Sequence, residues 1–168
     1  MRRLFAMPLL VLALAISSTA ETKQAGNPEL RYYANAYADH YGVPRPLVHA
    51  IIAQESNWNP RALSNKGAAG LMQLMPVTAS IYLVGDRFSV TENLSGGIQY
   101  LADLMTEFRG EMRLAVAAYY CGSRRIARRG LYYRNSDVVA YVEAVRRRYQ
   151  LELHEQASRD IPVPGKGQ

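Results

Sequence analysis

The stretch PLVHAIIAQESNWNPRALSNKGAAGLMQLMP, residues 46–76, decides how the chain is read. Pro46 suits the first turn of a helix, where its missing N–H would have had no partner. Val48, Ile51 and Ile52 then recur at helical spacing, which predicts a helix to about Ser56. Glu55 falls on the same side as these apolar residues. Burying a carboxylate there costs several kcal/mol unless it is paired or protonated. Glu55 also sits in the helix's last turn, where the dipole presents partial negative charge. Both effects disfavour the anion and should raise its pKa. A carboxylic acid still protonated near neutral pH is what a general acid requires. The open alternative is a structural glutamate paired with a nearby cation such as Arg61.

Residues 57–69 read as a loop, rich in Asn, Pro, Ser and Gly. The run from Gly67 to Pro76 follows. Its glycines let backbone approach a ligand closely. Gln73 can donate and accept hydrogen bonds, which suits sugar hydroxyls and acetamido groups. Met72 and Met75 offer soft apolar contact. Taken alone, these residues read more simply as a Gly-rich turn leading into a Met/Leu core cluster. The run lacks the Gly-Lys-Ser/Thr ending of a phosphate loop. No second acid lies near Glu55 in sequence, the next downstream being Asp86. Most glycosidases use two carboxylates, so a lone acid suggests a substrate that supplies the second group.

Outward from this block the pattern is helical. Asn27 before Pro28 is a good N-cap and N1 pair, predicting a helix to about Tyr41 that Gly42 ends. A short helix is expected from Met75-Pro76 to before Gly85. Ser89-Val90-Thr91-Glu92 fits a capping box. Behind it Leu94, Ile98, Leu101, Met105 and Phe108 keep helical spacing up to Gly110. An Ala-rich helix is expected over 111–121, ended by Gly122. A last one is expected over 136–153, with Val138, Val142, Val145 and Tyr149 as its stripe. Residues 157–168 read as a frayed, flexible C-terminal tail. No internal repeat and no strand hairpin stands out, so the class is mainly α, with little or no strand.

The first twenty residues read as an address. Arg2 and Arg3 precede an apolar run from Leu4 to Ile16, and Ser18-Thr19-Ala20 supplies small residues for cleavage after Ala20. The run is short of the roughly 20 apolar residues that span a bilayer. A cleavable secretory signal over 1–20 is therefore expected, with export to the periplasm or another extracytoplasmic space. The whole chain has 168 residues, 49% apolar and 20% charged, which suits one folded domain and argues against wholesale disorder. A single Cys excludes an internal disulfide framework and any Cys-rich metal site. Three scattered His, namely His40, His49 and His154, argue against a His-rich one. No metal or cofactor is implied.

The pattern Glu55-Ser56-x-Trp58-x-Pro60-x-Ala62-x-Ser64-x-x-Gly67-Ala68-x-Gly70-Leu71-Met72-Gln73-Leu74-Met75-Pro76-x-Thr78-Ala79 closely resembles the signature of the soluble lytic transglycosylase domain, glycoside hydrolase family 23. That family is related in fold to goose-type lysozymes. The resemblance continues through Gly97-x-x-Tyr100-Leu101 and Ala117-Ala118-Tyr119 and closes at Tyr141-Val142, covering about residues 30–149. It implies a compact lysozyme-like helical domain, here 27–153, with a glycan-binding cleft. It implies that Glu55 protonates the glycosidic oxygen between N-acetylmuramic acid and N-acetylglucosamine. The 2-acetamido group would stabilise the sugar cation. The same Glu would then take a proton from the muramic 6-hydroxyl, which closes a 1,6-anhydro ring. Ser64, Gln73, Met75 and Tyr119 align with residues lining the glycan groove. Tyr141 matches the Tyr of the closing motif, which implies a packing or hydrogen-bonding role near the cleft, and it is counted with the substrate-binding residues.

Two departures stand out. The family's usual Ala-Tyr-Asn-Ala-Gly is Ala118-Tyr119-Tyr120-Cys121-Gly122 here, so Tyr120 replaces a small amide and could stack on a sugar. The closing Glu-Thr becomes Asp137-Val138. Cys121 has no nearby His to activate it and reads as a small helix-end residue. Net charge is +6, with arginines dense over 124–134 and 146–148. A basic protein is attracted to the carboxylates of peptidoglycan. The plainer reading of these arginines is a solvated helix face, and no nucleic-acid motif accompanies them. The expected partner is the peptidoglycan glycan strand, with a component of the envelope machinery as a further candidate, and a monomer is expected. Two rivals stay open. One is a lysozyme-like muramidase that uses water. The other is a non-catalytic protein docking a secretion or conjugation apparatus onto the wall.

Overall fold

The structure is a computed structural model that describes residues 27–130 and 135–160. The expected signal over 1–20 and residues 161–168 of the expected tail lie outside the described residues. Seven helices carry the fold among them: α1 (Pro28–Tyr41), α2 (Arg45–Glu55), α3 (Pro76–Ile81), α4 (Val90–Glu107), α5 (Met112–Cys121), α6 (Ser123–Arg129) and α7 (Ser136–Asp160). The only extended pairing among the described residues is two isolated bridges, Leu63 with Ala69 and Ala69 with Leu74. No helix among them is long and apolar enough to cross a membrane.

The local signals act as their chemistry requires. Asn27 Oδ1 accepts the Glu29 N–H at 2.9 Å, and Pro28 opens α1. Gly42 ends it at φ 68°, a left-handed conformation that glycine adopts without a Cβ penalty. The capping box at α4 is only half realised. Ser89 Oγ accepts the Glu92 N–H at 3.5 Å, but the Glu92 carboxylate reaches back to the N–H groups of Gly85 and Asp86 at 2.7 and 3.0 Å. It thereby ties the preceding loop to the helix start.

Helix α2 is the centre of the molecule. Residues 47–53 are buried without a break, so this helix is apolar on nearly every side rather than along one stripe. It packs most extensively against α7 and also against α1, while α4 packs on α1, α3 and α5, and α5 also meets α6 and α7. Leu47, Ile51, Ile52, Leu71, Met72, Leu94, Ile98 and Leu101 make one core with no exposed surface. Met72 thus belongs to the core, as the Met/Leu core-cluster reading of this run has it, while Met75 stays at the surface. Gly97 is what admits it: a Cβ on Gly97 would stand 2.5 Å from Met72 Sδ and 2.8 Å from its Cβ.

Two boundaries differ from expectation. Helix α6 was hidden in Ser123-Arg124-Arg125-Ile126-Ala127-Arg128-Arg129, where only Ile126 is buried, so no apolar period marks it. Helix α7 runs past Leu153 to Asp160, so residues 157–160 are helical rather than tail. Exposed polar residues sustain those extra turns, including an Arg159–Glu155 pair four residues apart at 3.3 Å.

Candidate active site

Glu55 is the last residue of α2. The chain breaks the helix just beyond it, with Asn57 at φ 49° and Trp58 at φ 63°. Left-handed backbone is rare for a bulky residue. Trp58 holds it because its ring is buried in the core, against the edge of His49 and under the Arg31 guanidinium at 4.9 Å. The sharp exit leaves the Glu55 carboxyl at the floor of an open cleft of about 420 Å³. Glu55, Ser64, Gln73, Met75, Tyr119 and Tyr120 all line it. That volume lies within the range of small-ligand sites.

The 62–74 loop forms the facing wall. Ser64 Oγ accepts the Ala68 N–H at 3.0 Å, and its own backbone N–H bonds to the Ala68 carbonyl at 2.9 Å. Gln73 stands at φ 48°, and its Nε2 donates to the carbonyls of Ala62 and Gly70 at 3.1 and 3.0 Å. Its donors are therefore spent on the loop, and only its carbonyl oxygen remains for a ligand. Met75 is 42% exposed at the rim. It also lines a second hollow with Pro76, Thr78, Tyr100, Tyr119 and Tyr120.

Two residues that hold this loop escaped the sequence reading. Asn93, 1% exposed, accepts the Met72 N–H at 2.8 Å and donates to the carbonyls of Ala69 and Arg87 at 3.0 and 2.7 Å. Arg87 Nη1 donates to the carbonyls of Gly67 and Leu74. An Asn in the first turn of a helix whose Ser89 is already the cap was the one available signal.

Tyr119 donates to the Met72 carbonyl at 2.8 Å, which locks its ring beside the acid. Tyr141 is not on the groove wall. It is buried behind the acid, and its hydroxyl donates to Glu55 Oε1. Tyr120 lies flat on Tyr141, with centroids 4.6 Å apart and planes 25° from parallel. The expected rival partner Arg61 does not pair with Glu55, and no ion pair among the described residues involves that carboxyl. Burial raises the Glu55 pKa to about 7, against a smaller lowering by the Tyr141 hydrogen bond. The carboxyl thus keeps a proton near neutral pH far more readily than an ordinary glutamate, with Oε1 committed to Tyr141.

Asp137, distant in sequence, also lines the cleft with Asn135, Lys66 and Arg125. It lies one turn before Tyr141 on the same face of α7, so the acid is not alone. Cys121 lines the cleft too, and burial pushes its thiol up. Among the described residues no cluster of His, Cys, Asp or Glu could hold a metal ion.

The family model of the transglycosylase SLT domain matches residues 32–141. A membrane-bound lytic murein transglycosylase F from Desulfosudis oleivorans is 38% identical over 101 residues, 56% of this chain and 22% of that protein. The solved inactive mutant of lytic transglycosylase Slt from Pseudomonas aeruginosa superposes with TM-score 0.68 at 24% identity, over 80% of this chain and 25% of that one. A complex of a 70-kDa soluble lytic transglycosylase with bulgecin A superposes with TM-score 0.67 at 25% identity, over 74% and 24%. The chain therefore spans about a quarter or less of each of these proteins.

Proposed function

Because the chain belongs to the transglycosylase SLT domain family, we propose that it cleaves peptidoglycan glycan strands at the bond from N-acetylmuramic acid to N-acetylglucosamine, leaving 1,6-anhydro ends. The observation that carries this reading is Glu55, raised to about 7 at the floor of the cleft and bonded to Tyr141. With Oε1 holding the Tyr141 hydroxyl, Oε2 carries the proton to the glycosidic oxygen. The C1–O bond breaks, the leaving 4-hydroxyl keeps that proton, and the substrate's acetamido oxygen stabilises C1. Glu55, now the anion, draws the proton from the muramic 6-hydroxyl as that oxygen closes on C1. Protons balance and no water enters. Ser64, the Gln73 carbonyl, Met75, Tyr119 and the exposed side of Tyr120 would seat the glycan. Tyr141 serves by orienting the acid.

The reading also covers location. The substrate is a wall polymer, and Met1–Ala20 has the pattern of a cleavable export signal, so the chain would act in the periplasm or another extracytoplasmic space.

Asp137 in the cleft favours a second reading, a muramidase in which that carboxylate holds an attacking water. Product mass separates the two. Purified peptidoglycan digested by the wild type should release muropeptides with anhydro ends, each one water lighter than a hydrolysed product. Glu55→Gln should release them roughly a hundred- to ten-thousandfold more slowly, as expected when the proton donor is removed. Products one water heavier would install the muramidase instead.

A further inference from the structure

Tyr120 stands where the two hollows of the cleft meet and lines both of them. Tyr120 is 46% exposed, and its ring is stacked on that of Tyr141. Tyr141 in turn is 7% exposed and holds Glu55. The three side chains thus form a pile: exposed phenol, buried phenol, acid. We propose that Tyr120 is a positioning residue for the acid: its ring roofs Tyr141, keeps water from the Tyr141–Glu55 hydrogen bond and fixes the angle at which the carboxyl meets substrate. The catalytic part of this inference rests on the transglycosylase reading of the cleft.

Other groups around the acid do not provide that cover. Facing it are Tyr119 and Cys121 of α5, Asp137 and Tyr141 of α7, Arg125 of α6 and Lys66 of the loop. Lys66, Arg125 and Asp137 are exposed. Tyr119 is turned to the Met72 carbonyl and does not stack on Tyr141. Stacked aromatic pairs exclude water over their shared face. Replacing Tyr120 by a small amide would therefore let water reach both Tyr141 and Glu55. Two effects would then oppose each other. Hydrating the acid lowers its pKa, while loosening the Tyr141 hydrogen bond raises it. Burial is the larger cause of the present shift, so the net movement is downward.

The test uses the chain with Tyr120→Asn, Tyr120→Phe and Tyr120→Leu beside the wild type. The Glu55 carboxyl is titrated directly by carbon-13 NMR of glutamate-labelled protein, assigned by its absence in Glu55→Gln. In Tyr120→Asn the midpoint should fall by roughly one pH unit, as partial rehydration of a desolvated carboxyl predicts. Tyr120→Phe keeps the roof and should keep the midpoint. The alkaline limb of kcat on purified peptidoglycan should move with the NMR midpoint. An unmoved midpoint in a folded Tyr120→Asn overturns the proposal, as does an equal fall in Tyr120→Phe. A rise in KM with kcat, limb and midpoint unchanged overturns it too, and would leave Tyr120 as a sugar contact alone. Should Tyr120→Asn fail to fold, Tyr120→Leu decides instead: a branched chain covers less of the Tyr141 face than a stacked ring, so the midpoint should fall by roughly half a pH unit, and an unmoved midpoint overturns the proposal. Should the wild type release no anhydro product while the NMR midpoint still falls, the transglycosylase reading fails and the positioning role stands.

Discussion

A carboxyl held near neutrality by burial is a cost to the fold at higher pH. Glu55 titrates at about 7 in the folded chain, against an ordinary 4.5. The folded state therefore binds the proton more tightly than the unfolded one. Stability from this group is whole below about pH 4.5 and declines as pH rises toward 7. Glu55→Gln keeps an oxygen to accept the Tyr141 hydroxyl and cannot ionise. It should match the wild type at pH 4 and exceed it at pH 8 by up to about 3 kcal/mol, the upper limit such a shift allows. Urea denaturation at the two pH values checks this, and equal midpoints at pH 8 would deny the burial. Much of this scale was legible in the sequence. The acid on an apolar helix pointed to Glu55 and the Gly-rich run to Gln73 and Met75, while Ser64 came only with the family resemblance. What the sequence hid were partners brought from afar. That Tyr141 would touch the acid itself, 86 residues on, and that Asp137 would share its cleft, depends on how α7 lies across α2. No local pattern encodes that angle.

At the scale of elements, α7 is fastened to α1 and α2 by a small, partly buried network. Arg31 of α1 donates from Nη1 and Nη2 to the two oxygens of Glu152 at 2.9 Å each. His49 of α2 lies 3.0 Å from the same carboxylate through Nδ1 and 2.8 Å from Asn35 Oδ1 through Nε2. Burial opposes the Glu152 charge, but the bonds from His49 and Arg31 outweigh it and hold the carboxyl down at about 2. Its stabilisation is present above about pH 4.5 and is lost as pH falls toward 2. Glu152→Gln should cost about 1–2 kcal/mol at pH 7, since the charge-assisted bonds from Arg31 and His49 then meet a neutral amide. The difference from wild type should shrink between pH 4 and pH 2. A constant difference across that range would show that packing, not charge, is what Glu152 supplies. Because this network sets α7 on α2, Glu152→Gln should also weaken the hold of Tyr141 on Glu55. Helix existence was readable wherever a cap and an apolar period coincided, as at Asn27, Gly42 and Ser89. It was unreadable at α6, where one buried Ile126 among four arginines carries no period, and at the end of α7, where exposed charged turns have no core to answer to.

Across the whole molecule the net charge of +6 is unevenly committed. The two arginine groups that looked alike in sequence behave differently in the fold. In the later group Arg146 bonds Glu143 at 2.9 Å and Arg148 donates to Gln54 at 3.1 Å, so part of that charge serves α7 itself. In the earlier group Arg124, Arg125, Arg128 and Arg129 surround one hollow on α6 and have no carboxylate partner among the described residues. Arg125 belongs to that hollow and to the Glu55 cleft alike, so a cationic surface runs from the cleft wall outward. An unpaired exposed cation acts through a field that salt screens over roughly 10 Å at 0.1 M. Retention of the chain on purified peptidoglycan should therefore fall several-fold as sodium chloride rises from about 0.05 to about 0.5 M. Changing the four α6 arginines together to Gln should remove most of that salt dependence. Arg146→Gln should leave it in place, because that guanidinium already answers to Glu143. An α6 variant with the wild-type salt response would reduce the patch to a solvated helix face. Retention lost equally at every salt concentration would instead place the arginines in short-range contact with the strand, where screening has little to act on.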